Sequence, residues 1–152
     1  MRKVLIAGAI AAIAIATPAA AGEGRAEVRG GVAWANGTSD EAAGAAIGYD
    51  FNVGTNSFAG VEVSADTFLD GGATDLGLGF TGRAGARVGA GKFYALAGYT
   101  TEFCDPCGGA MHAGTGYQHS FGKLYAKVEY RRYFHDAAEV NVAGVGLGFK
   151  FH

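Results

Sequence analysis

The stretch KLYAKVEYRRYF, Lys123–Phe134, decides the fold. In steps of two from Leu124 to Phe134, its apolar side chains share one face, with Arg132 as the exception, and its charged side chains share the other. This alternation predicts a β-strand, because successive side chains leave a strand on opposite sides. A soluble sheet buries its apolar face, whereas a transmembrane barrel turns that face to lipid and encloses its charges. The rest of the sequence has to distinguish these two arrangements.

The N-terminus has the pattern of a secretory signal peptide. Met1-Arg2-Lys3 precedes an apolar run from Val4 to Ala16, and three alanines end the segment 17–21. A basic start, a short apolar core and an A-x-A ending predict export and cleavage. A membrane-spanning helix would need about 20 apolar residues. We therefore expect a signal peptide over 1–21 and one barrel domain over 22–152.

The composition restricts the classes of function. Charged residues make up 17% of the chain, below the roughly 25% usual for soluble domains. Acidic residues (14) outnumber basic ones (12), and two of the basic residues lie in the predicted signal peptide. This mildly acidic balance argues against a nucleic-acid partner.

Eight segments of about ten residues follow one another, separated by turns rich in Gly, Asn and Asp. A transmembrane strand needs about 9–11 residues, and no segment sustains a helical period. The predicted strands are 26–34, 41–51, 57–68, 76–88, 93–103, 110–119, 124–134 and 140–151. The strand over 93–103 is ambiguous, because Tyr94 and Leu96 fall on what should be its inner face.

Glycine placement indicates which face is enclosed. Eight glycines lie on the mixed face, where a soluble sheet would carry Thr, Lys and Glu: Gly77, Gly79, Gly85, Gly114, Gly116, Gly144, Gly146 and Gly148. Inside a narrow barrel, glycine leaves room for Arg and Tyr side chains from neighbouring strands. The mixed face is therefore predicted to point inward.

Aromatic residues gather at the two ends of the predicted strands. One group is Trp34, Phe103, Tyr130 and Phe134, and the other is Tyr49, Phe51, Phe93, Tyr117, Phe149 and Phe151. Two aromatic girdles around a Val/Ala/Leu belt are typical of the two interfaces of a membrane barrel. A soluble barrel more often buries its aromatic residues in the core. The apolar faces are therefore predicted to contact membrane lipid.

Three segments carry a family resemblance: FAGVEV (58–63), LYAKVEY (124–130) and the ending GLGFKF (146–151). They resemble the small outer-membrane barrels of Gram-negative bacteria, which include the opacity-type proteins and the membrane domain of OmpA. The resemblance covers essentially the whole predicted mature chain. It implies an all-β, eight-stranded antiparallel up-and-down transmembrane barrel in the bacterial outer membrane, with both termini in the periplasm.

The resemblance also implies that a terminal aromatic is read by the barrel-insertion machinery. This assigns the insertion signal to Phe149 and Phe151, with His152 as an overhang. The outer loops, at about 35–40, 69–75, 104–109 and 135–139, are short. Family members that adhere to host cells usually do so with long loops, so the surface partner is left open.

The predicted inner face collects charges of both signs in near balance. They are Glu27, Arg29, Glu62, Asp66, Arg83, Arg87, Glu102, Lys127, Glu129 and Arg131, with Lys150 as a further candidate. Eight strands leave an interior about wide enough for side chains alone. The favoured interpretation is a paired network that plugs the barrel. The alternative is a narrow or gated pore for small solutes.

Cys104-Asp105-Pro106-Cys107 is the sharpest local motif. In an exported chain with two cysteines, it predicts a disulfide in the third outer loop. A redox-active C-x-x-C normally opens a helix, and none is predicted here. A metal site would need two further ligands.

The outer loops carry six acids and no Lys or Arg: Asp40, Asp70, Asp75, Asp105, Asp136 and Glu139. The favoured interpretation is a solvated rim. Weak binding of Ca²⁺ or Mg²⁺ is the alternative, because hard cations favour carboxylate oxygens.

A lipid-modifying enzyme would need Ser, His and a carboxylate on one outward face near the outer rim. His119 and Ser120 are adjacent, so they point to opposite faces, and they lie by a periplasmic turn. We therefore expect no catalytic site, no cofactor and no metal site, and a role in envelope structure or surface interaction. A soluble, lipocalin-like barrel that binds an apolar ligand is the alternative from another class.

Overall fold

The computed structural model describes residues 22–69, 76–101, 108–134 and 139–151. These residues form eight strands: β1 (Gly22–Ala35), β2 (Thr38–Val53), β3 (Ser57–Leu69), β4 (Leu76–Val88), β5 (Gly91–Thr100), β6 (Ala110–Phe121), β7 (Leu124–Phe134) and β8 (Val140–Phe151). The bounds of β4, β7 and β8 are those predicted. Strands β1 and β2 extend further at both ends than predicted, and β5 is shifted toward the N-terminus.

The eight strands form a closed barrel in sequence order. Every neighbouring pair is antiparallel, and the last strand pairs with the first from Gly24↔Phe151 to Trp34↔Asn141. Closure leaves no strand edge unpaired. The predicted eight-stranded antiparallel up-and-down barrel is therefore confirmed, whereas the predicted signal peptide over 1–21 lies outside the described residues. Within the described ranges, the chain has no helix long and apolar enough to cross a membrane.

The two ends of the barrel differ in their connections. At one end, β2–β3, β4–β5 and β6–β7 are joined by tight turns in which Gly54, Gly89 and Gly122 have positive φ. The first residue of β1 and the last residue of β8 also lie at this short-turn end. At the opposite, loop end, Asn36 and Gly37 join β1 to β2 with φ of 49° and 87°, the geometry of a primed hairpin turn.

The distribution of side chains is inverted relative to a soluble protein. The buried side chains are mostly charged or polar, and they include Arg25, Asp50, Glu62, Arg83, Lys127 and Arg131. Large apolar side chains are exposed on the outer wall, among them Val28, Val61, Phe80, Val128, Val145 and Leu147. This arrangement follows from the alternation in every strand, because residues two apart share a face.

A single apolar cluster is buried among the described residues, formed by Phe58, Tyr94 and Leu96. It resolves the ambiguity of β5, since Tyr94 and Leu96 point inward and pack against Phe58 of β3. The ring of Tyr94 meets the ring of Phe58 edge-on, with 6.4 Å between centroids. Arg132, the exception in the alternation of β7, lies exposed at the loop end and pairs with Glu139.

Candidate functional site: the barrel interior

Asp50 of β2 holds three cations in the half of the barrel near the short turns. Arg83 donates to both of its carboxylate oxygens, at 2.9 and 2.5 Å. Lys92 donates to Oδ2 at 2.8 Å, and Arg25 Nε lies 3.5 Å from Oδ1. The Asp50 side chain is completely buried. We call these four residues the Asp50 cluster.

Aromatic rings complete the environment of these cations. The guanidinium of Arg83 lies 5.4 Å from the ring centroid of Phe58 and 4.8 Å from that of Tyr94. The ammonium of Lys92 lies 5.0 Å from the Phe58 centroid. Such contacts contribute about 0.5–2 kcal/mol each, depending on desolvation. The apolar cluster of the barrel is therefore also part of its charge network.

Glu62 of β3 is a second such centre, two residues nearer the loop end than Gly60, the register partner of Asp50. Arg25 donates to its Oε2 at 2.7 Å, whereas Arg29 and Arg131 donate to Oε1 at 2.9 and 2.8 Å. Arg29 in turn makes a bidentate pair with Asp66. We call Glu62 and its three arginines the Glu62 cluster, and Arg25 links it to the Asp50 cluster.

Strand β7 supplies the remaining members of the network. Lys127 Nζ lies 2.5 Å from Glu27 Oε1 and 3.0 Å from Glu129 Oε2. Each of these carboxylates also accepts a tyrosine hydroxyl: Tyr125 donates to Glu27 at 2.7 Å, and Tyr94 donates to Glu129 at 2.9 Å. Positive and negative groups thus alternate across the whole interior, so that most charges are shared between two partners.

Inward-facing glycines provide the space for this network. A Cβ at Gly48 would lie 2.7 Å from Arg25 Nη2, and one at Gly146 would lie 2.9 Å from Lys127 Cε. A Cβ at Gly116 would lie 2.5 Å from the Tyr94 hydroxyl. Real Cβ atoms do not approach other atoms so closely. The glycines therefore accommodate long side chains from neighbouring strands, as the sequence predicted.

A histidine lies inside the barrel near the loop end. His112 is 2% exposed, and its two ring nitrogens hydrogen-bond to the hydroxyls of Thr81, at 2.9 Å, and Thr100, at 3.1 Å. Its ring packs against Tyr133, with 5.2 Å between centroids. His112 therefore points into the barrel, enclosed by two threonine hydroxyls and the Tyr133 ring.

A cavity of about 50 Å³ lies above the Glu62 cluster, lined by Arg29, Asp66, Arg131 and Tyr133 and by small residues of β1, β2 and β8. Arg131 Nη1 is buried here without a hydrogen-bond partner. Deeper in the barrel, nitrogen atoms of Arg25, Arg83 and Gln118 are also buried without a hydrogen-bond partner. Buried donors are usually satisfied by ordered water, and the cavity has room for a few water molecules.

The described members of the predicted charge set lie on the inner face. Arg29, Glu62, Asp66, Lys127, Glu129, Arg131, Glu27 and Arg83 take part in the ion pairs above. Arg87 instead donates to Asn52 and lies over Phe58 at the short-turn mouth. Lys150 pairs with Glu23 at 3.1 Å. Glu102 lies outside the described residues.

Sequence reasoning missed Glu23, Arg25, Asp50 and Lys92. Arg83 was expected to pair with a carboxylate of the predicted set, but its ion-pair partner is Asp50. The signal for Asp50 was present, because Tyr49 and Phe51 were assigned to the outer wall and the residue between them must point inward. Arg25 and Lys92 were missed because the predicted starts of β1 and β5 fell one residue after each of them.

The predicted interface aromatics point outward wherever the structure describes them. Trp34, Tyr130 and Phe134 are exposed toward the loop end, and Phe51, Phe93 and Phe149 are exposed toward the short-turn end. Tyr49, Tyr117 and Phe151 are half-buried on the same outer surface. Tyr99 and Phe121 extend the two girdles and were not predicted. Phe103 and the disulfide candidates Cys104 and Cys107 lie outside the described residues.

The predicted insertion signal occupies the closing seam. Phe149 and Phe151 of β8 stand outward opposite Ala26 and Gly24 of β1, and their ring centroids are 5.9 Å apart. The ring of Phe151 covers Gly24, where a Cβ would collide with it. Both aromatics therefore lie at the outer surface of the last strand.

The sequence matches no family model and no curated protein. Solved structures share its fold. The N-terminal β-barrel domain of OprF from Pseudomonas aeruginosa aligns with a TM-score of 0.58 and 17% identity, covering 86% of this chain and 99% of that domain. The chain has the fold of the small bacterial outer-membrane barrels.

Two further structures support the same fold. The attachment invasion locus protein Ail of Yersinia pestis, in complex with the heparin analogue sucrose octasulfate, aligns with a TM-score of 0.59 and 13% identity over 86% of this chain and 99% of that one. Neisserial surface protein A aligns with a TM-score of 0.55 and 12% identity, covering 86% of this chain and 97% of that one.

Proposed function

We propose that this protein is an integral outer-membrane β-barrel whose interior is plugged by its own charge network and which serves the structure of the cell envelope. The observation that carries the proposal is the inverted distribution of side chains. Apolar side chains cover the outer wall between two aromatic girdles, and the ionised side chains are enclosed. In water this arrangement would expose a large apolar surface. In a membrane, the apolar wall contacts the hydrocarbon core, and the aromatic girdles lie at the two interfaces with water.

The closed hydrogen-bond pattern fits the same environment. In a bilayer every backbone N–H and C=O must find a partner within the protein, and a closed barrel meets this requirement. The described parts of all eight strands are paired on both sides. We place the short-turn end, with the start of β1 and the end of β8, in the periplasm.

The network favours a plug over a pore. Asp50, Glu62 and Glu27 each form an ion pair with a residue on a non-adjacent strand, namely Arg83, Arg131 and Lys127. The cavity above these pairs is only about 50 Å³. Passage of a solute would require several buried pairs to separate together, and each broken pair leaves costly unpaired charges. Purified protein in a planar bilayer should give at most rare, small conductance events. A stable open channel would make solute passage the leading function.

Recognition of sulfated sugars, as in the complex of Ail with a heparin analogue, is not part of the proposal. The loop segments 35–40, 69–75, 104–109 and 135–139 contain acids and no Lys or Arg. Polyanions are recognised by basic groups, and the nearby Arg132 is paired with Glu139. Weak binding of divalent cations at this acidic rim fits the charges better. We also propose no catalytic activity.

Membrane residence is tested by extraction and by gel mobility. The protein should remain in the membrane fraction after osmotic release of the periplasm and should need detergent for extraction. Folded and boiled samples should migrate differently, because a closed barrel resists unfolding by detergent at room temperature. Protein that stays soluble without detergent after periplasmic release would refute the membrane assignment and favour the soluble, ligand-binding alternative.

A further inference from the structure

A groove of about 650 Å³ runs across the outer wall of the barrel. It crosses five strands in the order β5, β6, β7, β8 and β1. One side is the row of outward residues Phe93, Tyr117, Val128, Val145 and Gly30, which are paired in register from strand to strand. The next outward row toward the loop end, from Thr115 through Tyr130 to Val32, forms the other side.

The groove is inclined to the barrel axis. Phe93 is the third residue of β5 from the short-turn end, whereas Gly30 is the ninth residue of β1 from that end. Four inter-strand spacings of about 4.8 Å give a path of roughly 19 Å. This length is comparable with the half-thickness of a hydrocarbon core about 30 Å thick. The groove thus begins at one aromatic girdle and rises to the middle of the apolar belt.

Small residues create the depth of the groove. Gly30 and Ala143 point outward at its upper end, and a Cβ at Gly30 would have no heavy atom nearer than 3.6 Å. Larger side chains, from Val32, Val145 and Tyr130, stand on either side of them. Gly30 and Ala143 therefore form a depression between larger side chains.

The lower end of the groove carries a polar group with a defined orientation. The Tyr117 hydroxyl hydrogen-bonds to Nδ1 of His119 at 2.9 Å, and the ring of Phe121 packs against the imidazole in a tilted geometry, with 4.8 Å between centroids. This arrangement directs Nε2 of His119 away from Tyr117. Lys123 lies exposed in the adjoining turn.

Charge at this girdle favours an anion. By strand alternation, no carboxylate among the described residues points outward in the short-turn half of the wall, because Glu23 and Asp50 face the interior. His119 and Lys123 are therefore the ionisable groups that an external ligand would meet there. A phosphate beside them would gain hydrogen bonds and charge complementarity.

We propose that this groove is a binding site for one phospholipid, with an acyl chain along the groove and the phosphate at His119 and Lys123. The inference rests on the proposed membrane residence, since the groove would otherwise face water. The inference goes beyond membrane residence, because a barrel without a specific site would exchange all surrounding lipids alike.

The test compares two probes by native mass spectrometry of the detergent-extracted protein: phosphatidylglycerol, and diacylglycerol with the same acyl chains. Gly30→Leu fills the groove and should weaken retention of both probes about tenfold, the equivalent of roughly 1.4 kcal/mol. Gly82→Leu is the matched control, because Gly82 also points outward with open space above it, and it should leave both unchanged. Ala143→Leu is a second groove variant with the same expected loss.

His119→Ala tests the phosphate end separately. This variant should weaken the retention of phosphatidylglycerol about tenfold, as expected for the loss of one hydrogen bond to a charged group. It should leave the retention of diacylglycerol unchanged. Equal lipid retention by the Gly30→Leu and Gly82→Leu variants would refute the proposed site. A His119→Ala variant whose retention of the two probes changes by the same factor would refute it as well. Heat-dependent gel mobility, measured on every variant, reports folding and membrane residence independently of lipid retention.

Discussion

Replacing Asp50 by Asn should destabilise the barrel far more than removing an exposed carboxylate, because three buried cations share the Asp50 side chain. Arg25 retains Glu62 and Glu27 as partners, and Lys92 retains Glu23. Arg83 has no second carboxylate among the described residues. Its remaining contacts are the Gln118 amide oxygen at 3.2 Å and the rings of Phe58 and Tyr94. The substitution therefore leaves one guanidinium without its counter-ion.

The magnitude follows from this count. Two charges about 4 Å apart attract by roughly 4 kcal/mol at an effective dielectric constant of about 20. Removing one partner of a buried pair typically costs about 3–5 kcal/mol. The Asn side chain still offers one oxygen to Arg83, so we expect a loss near the lower end, about 3 kcal/mol in the free energy of unfolding.

The measurement is urea unfolding in lipid vesicles, followed by the fluorescence of Trp34, the one tryptophan of the chain. Glu41→Gln is the control on the same strand, because Glu41 is exposed and points outward, and it should change stability by less than about 0.5 kcal/mol. The double variant Asp50→Asn/Arg83→Gln should recover part of the loss, since the stranded charge is then gone. An Asp50→Asn variant as stable as Glu41→Gln would refute the account of the Asp50 cluster.

Three further predictions concern the wall, the glycines and the seam. Val145→Arg, on the apolar belt, should cost about 2–4 kcal/mol if it lies near the midplane, measured by the same unfolding assay. Gly48→Ala should destabilise by about 1–3 kcal/mol through overpacking, since its Cβ would lie 2.7 Å from Arg25 Nη2, whereas Gly82→Ala should be neutral or stabilising. Phe151→Asp should leave unassembled protein in the periplasm, visible by fractionation; normal assembly of that variant would contradict its role as the insertion signal.

The alternation within single strands made the fold predictable. Each strand carries enough outward apolar and inward polar residues to fix its two faces, and the short turns fix which strands are neighbours. The inward direction of Glu62, Lys127 and Arg131 follows from the same period. Asp50 could have been found in this way, because the outward Tyr49 and Phe51 leave it only the interior.

The identity of the ion-pair partners could not be read from the sequence. The partners depend on the register between strands. The alternation does not fix that register, because sliding one strand by two residues, or by any even number, keeps every side chain on the same face. Arg29, for example, reaches Asp66 on β3, two strands away, rather than a residue of the adjacent β2. The inward Tyr94 and Leu96 were ambiguous for a related reason, since their burial depends on contact with Phe58 across the lumen.

The glycines of β2 show how sequence and network are connected. Arg25 and Arg29 of β1 bond to Glu62 and Asp66 of β3, so both side chains must pass over the inner face of the strand between them. That face carries Gly44 and Gly48 at the crossing points, and a side chain at either would collide with Asp66 or Arg25. Glycine weakens a strand, and closure of the barrel compensates by pairing β2 on both sides. The glycines on the inner face of β2 are therefore a requirement of the charge network, and the network in turn fills the lumen that those glycines leave open.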